Sequence, residues 1–206
     1  MYRPPFFAVD DVAILHDVIR SRVFATLAVA DEGRVRFAYA PVVLDAAGEK
    51  GALRFHLARG NPLAKLEDGA RVAFSFVASD AYVSPDWYRT IVTVPTWNYI
   101  AVEAEGAVRQ TSREALLQLV LDLSAQEEVR LLPKEPWLID KVPPERTEML
   151  LNGIVGFAVE LDRLEGKFKL SQDKKPEDFE GVIAGLEARG DAASLAVAKA
   201  MRSTLS

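Results

Sequence analysis

The sequence predicts a mainly β, α+β fold: a small barrel of antiparallel strands with peripheral helices. Closely spaced stretches with a period of two, or short apolar runs, are joined by brief glycine-bearing turns. Segments with helical periodicity occur at intervals between them and again near the C-terminus. Half of the 206 residues are hydrophobic, enough to fill one core.

After an extended start at Pro4 and Pro5, residues 10–22 carry apolar side chains at 12, 14, 15, 18 and 19. Acids open this segment and basic residues close it, which predicts a short amphipathic helix. "FATLAVA" (24–30), the turn 31–33 and "RVRFAYAPVVL" (34–44) form a hairpin pattern, in which Arg34 and Arg36 alternate with Val35 and Phe37 as on a strand with one solvated face. A further strand is expected over 52–58. Asn61 is placed to cap a short helix that Pro62 starts. Residues 70–78 read as a buried strand, and 79–95 as irregular. From Ile100 to Arg109 apolar and largely polar residues alternate along a long strand. Thr111 and Glu114 have capping-box spacing ahead of a helix over 111–130. "RTEMLLNG" predicts a helical turn closed by Gly153, and 154–172 predicts two strands, or one strand with a bend at Glu165–Gly166. Two helices follow, one from Pro176 and one after Gly190. The expected organisation is one domain over 1–206, its terminal helices (about 176–203) packed on the barrel or on a partner subunit.

Composition excludes several chemistries. Without cysteine there is no thiolate catalysis, disulfide or cysteine-ligated metal, and two histidines, His16 and His56, cannot make a histidine-rich metal site; no metal is expected. Phosphate-loop, dinucleotide and nucleophile-elbow motifs are absent, and the glycines of 181–190 fall within a helical pattern. A formal charge of −5, spread along the chain, argues against bulk nucleic-acid binding, and no basic recognition helix is evident, so direct DNA contact is not expected. No apolar stretch of membrane-spanning length and no leader-like segment is seen, so the expected location is the cytoplasm.

Three clusters could bind a ligand. His56, Arg59 and Asn61 lie at a strand end running into a helix start, where an arginine and free amides can hold a phosphate; the alternative is a plain turn with a surface arginine, since helix-start anion sites are unspecific. Tyr82, Trp87, Tyr88, Trp97 and Tyr99, with Ser84, Thr96 and Asn98, could frame a planar heterocycle or form an aromatic core. Lys167 and Lys169 share one strand face and could meet an anion, pair with Glu103 and Glu105, or remain solvated.

In "MYRPPFF", "FHLARGNP" (55–62), "AYVSPDWY" (81–88), "VPTWNYIAV" (94–102), "GIVGF" (153–157), "EGKFKLSQ" (165–172) and "GVIAGLEARGD" (181–191), in this order, the chain resembles the PaiB-like FMN-binding negative transcriptional regulators over essentially its whole length. The resemblance implies an FMN-binding split β-barrel related to pyridoxamine-phosphate oxidases, a homodimer with flavin at the subunit interface, and a regulatory role that could be indirect. A flavin-dependent oxidoreductase using the same site is the alternative. By the same resemblance His56, Arg59 and Asn61 contact the flavin phosphate, Thr96, Trp97 and Asn98 face the ring, and Lys167, Lys169 and Gln172 reach the flavin across the dimer. Arg89 after "WY", Glu103 in the strand after "NY", and Asp173–Lys174 after "KLSQ" depart from the family pattern and lower the local positive charge.

Overall fold

A computed structural model describes residues 1–31, 33–90 and 92–204. In chain order the elements are β1 (Ala8–Val9), α1 (Val12–Ser21), β2 (Phe24–Asp31), β3 (Arg34–Asp45), β4 (Ala52–Ala58), β5 (Arg71–Val83), β6 (Thr96–Gln110), α2 (Arg113–Glu128), α3 (Pro144–Leu151), β7 (Ile154–Lys169), α4 (Pro176–Arg189) and α5 (Ala192–Ser203). The strands form one sheet in the order β1-β7-β4-β3-β2-β5-β6, and β6 also pairs with β7, so the order returns on itself. The β1–β7, β2–β3, β2–β5, β3–β4 and β4–β7 pairs are antiparallel. Of the expected turn at 31–33, Glu32 lies outside the described residues, as does Ile91 of the 79–95 segment; the first part of that segment, expected to be irregular, instead continues β5 to Val83.

The chain divides into two compact units. One comprises Ile19–Ser75 and Ala104–Leu164; the other comprises Met1–Val18, Phe76–Glu103 and the chain from Glu165 onward.

In the unit containing β2–β4, alternate residues bury Ala25, Leu27 and Val29 of β2, Ala38, Ala40 and Val42 of β3, and Leu53, Phe55 and Leu57 of β4. Phe55 is the hub: its ring stacks on Phe157 at 5.2 Å and meets Phe74 edge-on at 5.5 Å. Each such ring contributes about 1.5–3 kcal/mol through burial alone. Helix α2 covers the opposite face of β3 and β4, with Leu116, Leu119 and Leu123 packed on Val23, Val43 and Leu151. Arg54 pins the helix to this face through Asp45 at 2.6 Å and Asp122 at 2.8 Å. The β3 alternation is inverted relative to expectation. Ala38 and Ala40 point inward, whereas Val35, Phe37 and Tyr39 point out and are each more than 60% exposed. A period of two defines two faces but does not say which one the core takes.

The cap of α2 also differs from expectation. Ser112, not Thr111, is the N-cap and accepts from the Ala115 N–H at 3.3 Å. The Thr111 N–H instead donates to Gly156 O at 2.9 Å, which keeps Thr111 extended, and its Oγ1 is buried without a partner. Residues 154–169 form one strand, not two. At Gly166 a Cβ would collide with Leu15 and crowd Val9 of β1, so glycine permits close approach.

In the other unit, α4 and α5 bury Val182, Ile183, Leu186, Val197, Ala198 and Met201. Asp191 caps α5, and Gly190 ends α4 in the left-handed conformation at φ 72°. Gly181 and Gly185, one helical turn apart, form a notch for Trp87: a Cβ at 181 would strike the Trp87 carbonyl and one at 185 its indole ring. Asp178, buried on the same helix, accepts from the backbone N–H groups of Arg89 at 2.6 Å and Thr90 at 2.8 Å, and from the Thr90 hydroxyl at 2.6 Å. Helix α4 thereby fixes residues 87–90. No described helix is long and apolar enough to cross a membrane.

Candidate functional site

The three residues expected around the phosphate make separate local contacts. His56 shares the half-buried face of β4 with Arg54, on the side covered by α2, and lies opposite Gly156 of β7. Its Nδ1 is buried without a hydrogen-bond partner, and burial pulls the imidazole below its usual pKa, so it is neutral at pH 7. Arg59 donates from Nε to Asn152 O at 2.7 Å and from a terminal nitrogen to Ile154 O at 3.1 Å. Asn61 caps the turn Pro62–Lys65, its side chain accepting from the Leu63 N–H at 2.9 Å, as the sequence implies. Beside this turn lies an open groove of about 960 Å³ lined by Gly60, Asn61, Pro62, Lys65, Arg36 and Arg71 among others. Arg36 is neutralised by Asp31, and Arg71 by Asp162 and Glu105, which leaves Lys65 as the groove cation without an ion pair among the described residues.

The other expected residues gather in the second unit, where β6 begins and β7 ends. Along β6 side chains alternate: Trp97 points outward and is 52% exposed, whereas Asn98 is 1% exposed. The Trp97 ring meets Tyr82 edge-on at 6.1 Å. The Lys169 ammonium donates to Thr96 Oγ1, and to Trp97 O at 2.7 Å. Burial first, then repulsion from Lys167 and Lys174, pulls its pKa below the usual lysine value, against the attraction of Asp173. Lys167 sits between two rings, 5.3 Å from the Tyr2 centroid and 5.4 Å from that of Tyr99. Neither lysine pairs with the β6 acids: Glu103 binds the Met1 amino group at 3.0 Å and Glu105 binds Arg163.

Asn98 and Gln172 are committed within the protein. The Asn98 amide donates to Ser171 Oγ at 2.9 Å and to Met201 Sδ at 3.5 Å. Gln172 folds back, accepting from Leu170 N–H at 2.7 Å and donating to Phe168 O at 2.6 Å. Ser171 went unread in the sequence because no pattern marks a left-handed serine. Trp87 and Tyr88, candidate ring partners, are seated on α4 and buried, respectively. Among the described residues no group of three or more His, Asp or Glu could hold a metal ion.

Each cluster, taken within its own unit, fits a part of FMN in kind. Trp97 and Tyr82 offer an exposed aromatic edge, and the Lys169 ammonium, bonded to Thr96 and the Trp97 carbonyl, suits the carbonyl oxygens of an electron-poor heterocycle that gains negative charge on reduction. The groove beside the Gly60–Pro62 turn offers the Lys65 cation for a phosphate. When bound, FMN supplies one- and two-electron redox chemistry, while the protein supplies position and electrostatics.

The strand order returns on itself, and the comparisons with known proteins place the chain in the class of flavin-binding split barrels. A FAD- and heme-binding protein from Mycobacterium smegmatis superposes with a TM-score of 0.59 at 18% identity, over 90% of this chain and 81% of that one. The flavocytochrome Anf3 from Azotobacter vinelandii gives 0.60 at 11%, over 87% and 78%. The chain belongs to the family described as "Putative FMN-binding domain", which it matches over residues 1–163. It is 31% identical to an uncharacterized protein of Emericella nidulans over 98% of this chain and 96% of that protein. It is also 29% identical to the protease synthase and sporulation protein PAI 2 of Bacillus subtilis, over 91% and 89%.

Proposed function

We propose that the protein is a cytoplasmic homodimeric regulator that binds FMN between its subunits and acts without touching DNA directly. The observation that carries the flavin site is the Trp97–Tyr82 edge with Lys169 bonded at its base. His56, Arg59, Asn61, Thr96, Asn98, Lys167 and Gln172 complete the proposed set. Thr96 and Lys167 act at the ring side; Asn98 and Gln172 act by shaping the strand ends; His56, Arg59 and Asn61 hold the strand end and turn that face the phosphate.

The dimer is supported by the outer face of β2 and β3. Phe24, Val35, Phe37 and Tyr39 are exposed there, and Phe24 stacks on Tyr39 at 6.4 Å. A contiguous apolar surface of this kind is what a second copy covers. The regulatory role rests on the likeness to PAI 2. Indirect action is supported by α5, whose Arg202 is paired with Glu187 and whose one other cation is Lys199.

The test is the absorbance of the freshly purified protein, followed by FMN titration of the apoprotein and sedimentation. Flavin bands, saturable quenching of flavin fluorescence and a dimer are expected. A colourless protein that refuses FMN refutes the site, and tight, salt-sensitive, sequence-specific gel shifts refute indirect action. Bleaching of the bound flavin by NADH or NADPH with turnover would instead make the protein a flavin-dependent oxidoreductase.

A further inference from the structure

Among the described residues Ser171 is the single non-glycine residue with a positive φ, 65°. Left-handed backbone is disfavoured for L-residues and persists where the surroundings over-determine it. The side chains around Ser171 do so. It is 3% exposed; its Oγ accepts from Asn98 Nδ2 at 2.9 Å and donates to Asn98 Oδ1 at 3.2 Å. Met201 of α5 backs Asn98 from the other side, its Sδ 3.5 Å from Nδ2. Two residues before Ser171, Lys169 reaches Thr96 and the Trp97 carbonyl; one residue after it, Gln172 closes the turn on Leu170 and Phe168.

The consequence follows from strand geometry. Neighbouring residues of a strand point to opposite faces, so a side chain pinned inward holds its neighbour outward. Ser171 pins Asn98, and Asn98 is flanked by Trp97, whose ring forms the exposed edge. We propose that Ser171 is a positioning residue: its hydroxyl locks the left-handed turn onto Asn98, which delivers the Lys169 ammonium to the β6 edge and holds the Trp97 ring outward. Its bearing on flavin rests on the FMN site proposed above. The locking of Lys169 does not, since every contact that defines it lies within the protein.

The experiment compares Ser171→Ala and Ser171→Gly with the wild-type chain. Glycine accepts a positive φ without strain, so it removes the hydroxyl alone. Three readouts are taken: far-ultraviolet circular dichroism, labelling of Lys169 by an amine reagent mapped by mass spectrometry without flavin, and the FMN dissociation constant from flavin fluorescence. Both variants are expected to keep the dichroism, to raise Lys169 labelling several-fold, and to weaken FMN by about tenfold or more, the scale of one buried hydrogen-bond pair. Lys169→Met combined with Ser171→Gly should weaken FMN little beyond the stronger single change, because both act through one group. Unchanged Lys169 labelling in Ser171→Gly overturns the proposal, even if Ser171→Ala fails to fold. Failure of the wild-type chain to bind FMN, with labelling still raised in the variants, overturns the flavin site and leaves the lock standing.

Discussion

Replacing Gly185 by alanine sets two effects of opposite sign against each other. At an ordinary position inside a helix the change would stabilise by about 1 kcal/mol, since alanine restricts the unfolded chain and favours the helix. Here the new methyl falls on three atoms of the Trp87 indole. The ring cannot shift freely, because Gly181 of the same helix abuts the Trp87 carbonyl and Asp178 binds the next two backbone amides but one. Overpacking of this kind costs about 1–3 kcal/mol, with more where the ring is expelled. Net destabilisation of up to about 2 kcal/mol is expected, a fall in Tm of up to about 8 °C for a chain of this size. The assay is thermal unfolding followed by circular dichroism, repeated in a Trp87→Ala background. There the notch is empty, and Gly185→Ala should become stabilising by up to about 1 kcal/mol. A rise in Tm in the wild-type background, or the same shift in both backgrounds, would refute the reasoning.

Three further outcomes are expected. His56 has a pKa depressed by burial, so the unfolded chain binds its proton more readily and stability falls as pH drops below about 6.5; urea midpoints between pH 5 and 7 should slope less in His56→Gln than in the wild-type chain. Arg54→Met removes the bond from β4 to Asp45 and Asp122 of α2 and should cost about 1–2 kcal/mol in urea unfolding, because the carboxylates left behind are partly hydrated. Asp178→Ala leaves the amides of Arg89 and Thr90 without their acceptor, and limited trypsin digestion should cut faster after Arg89; an unchanged rate would show that α4 does not hold this segment.

Much of the fold is legible in the sequence because strands and caps are written locally. The Ile100–Val108 alternation, the Asn61 cap and the Pro176 helix start each need only neighbouring residues. What resists reading depends on distant partners. Val35, Phe37 and Tyr39 look like the core half of a strand until Ala38 and Ala40 are found inside. Gly181 and Gly185 look like helix punctuation until Trp87 arrives from a segment about a hundred residues earlier. Thr111 loses the cap to Ser112 because Gly156, across the sheet, takes its amide. Of the candidate site, the motifs holding Thr96, Trp97 and Lys169 are legible in the sequence, whereas the meeting of Lys169 with Thr96 and Trp97 in one chain, and the inward turn of Asn98 onto Ser171 and α5, are announced by no local pattern.

The notch, the Asp178 clasp and the Ser171 lock share one property: each joins residues before position 163 to residues after it. The family match ends at 163. A chain cut there would lose Lys169, strip Trp87 of its seat and leave the Asn98 amide without Ser171 or Met201. The boundary drawn by kinship is therefore not one along which this molecule can be divided, and grafting its Trp97–Tyr82 edge onto another scaffold means carrying the last forty or so residues with it.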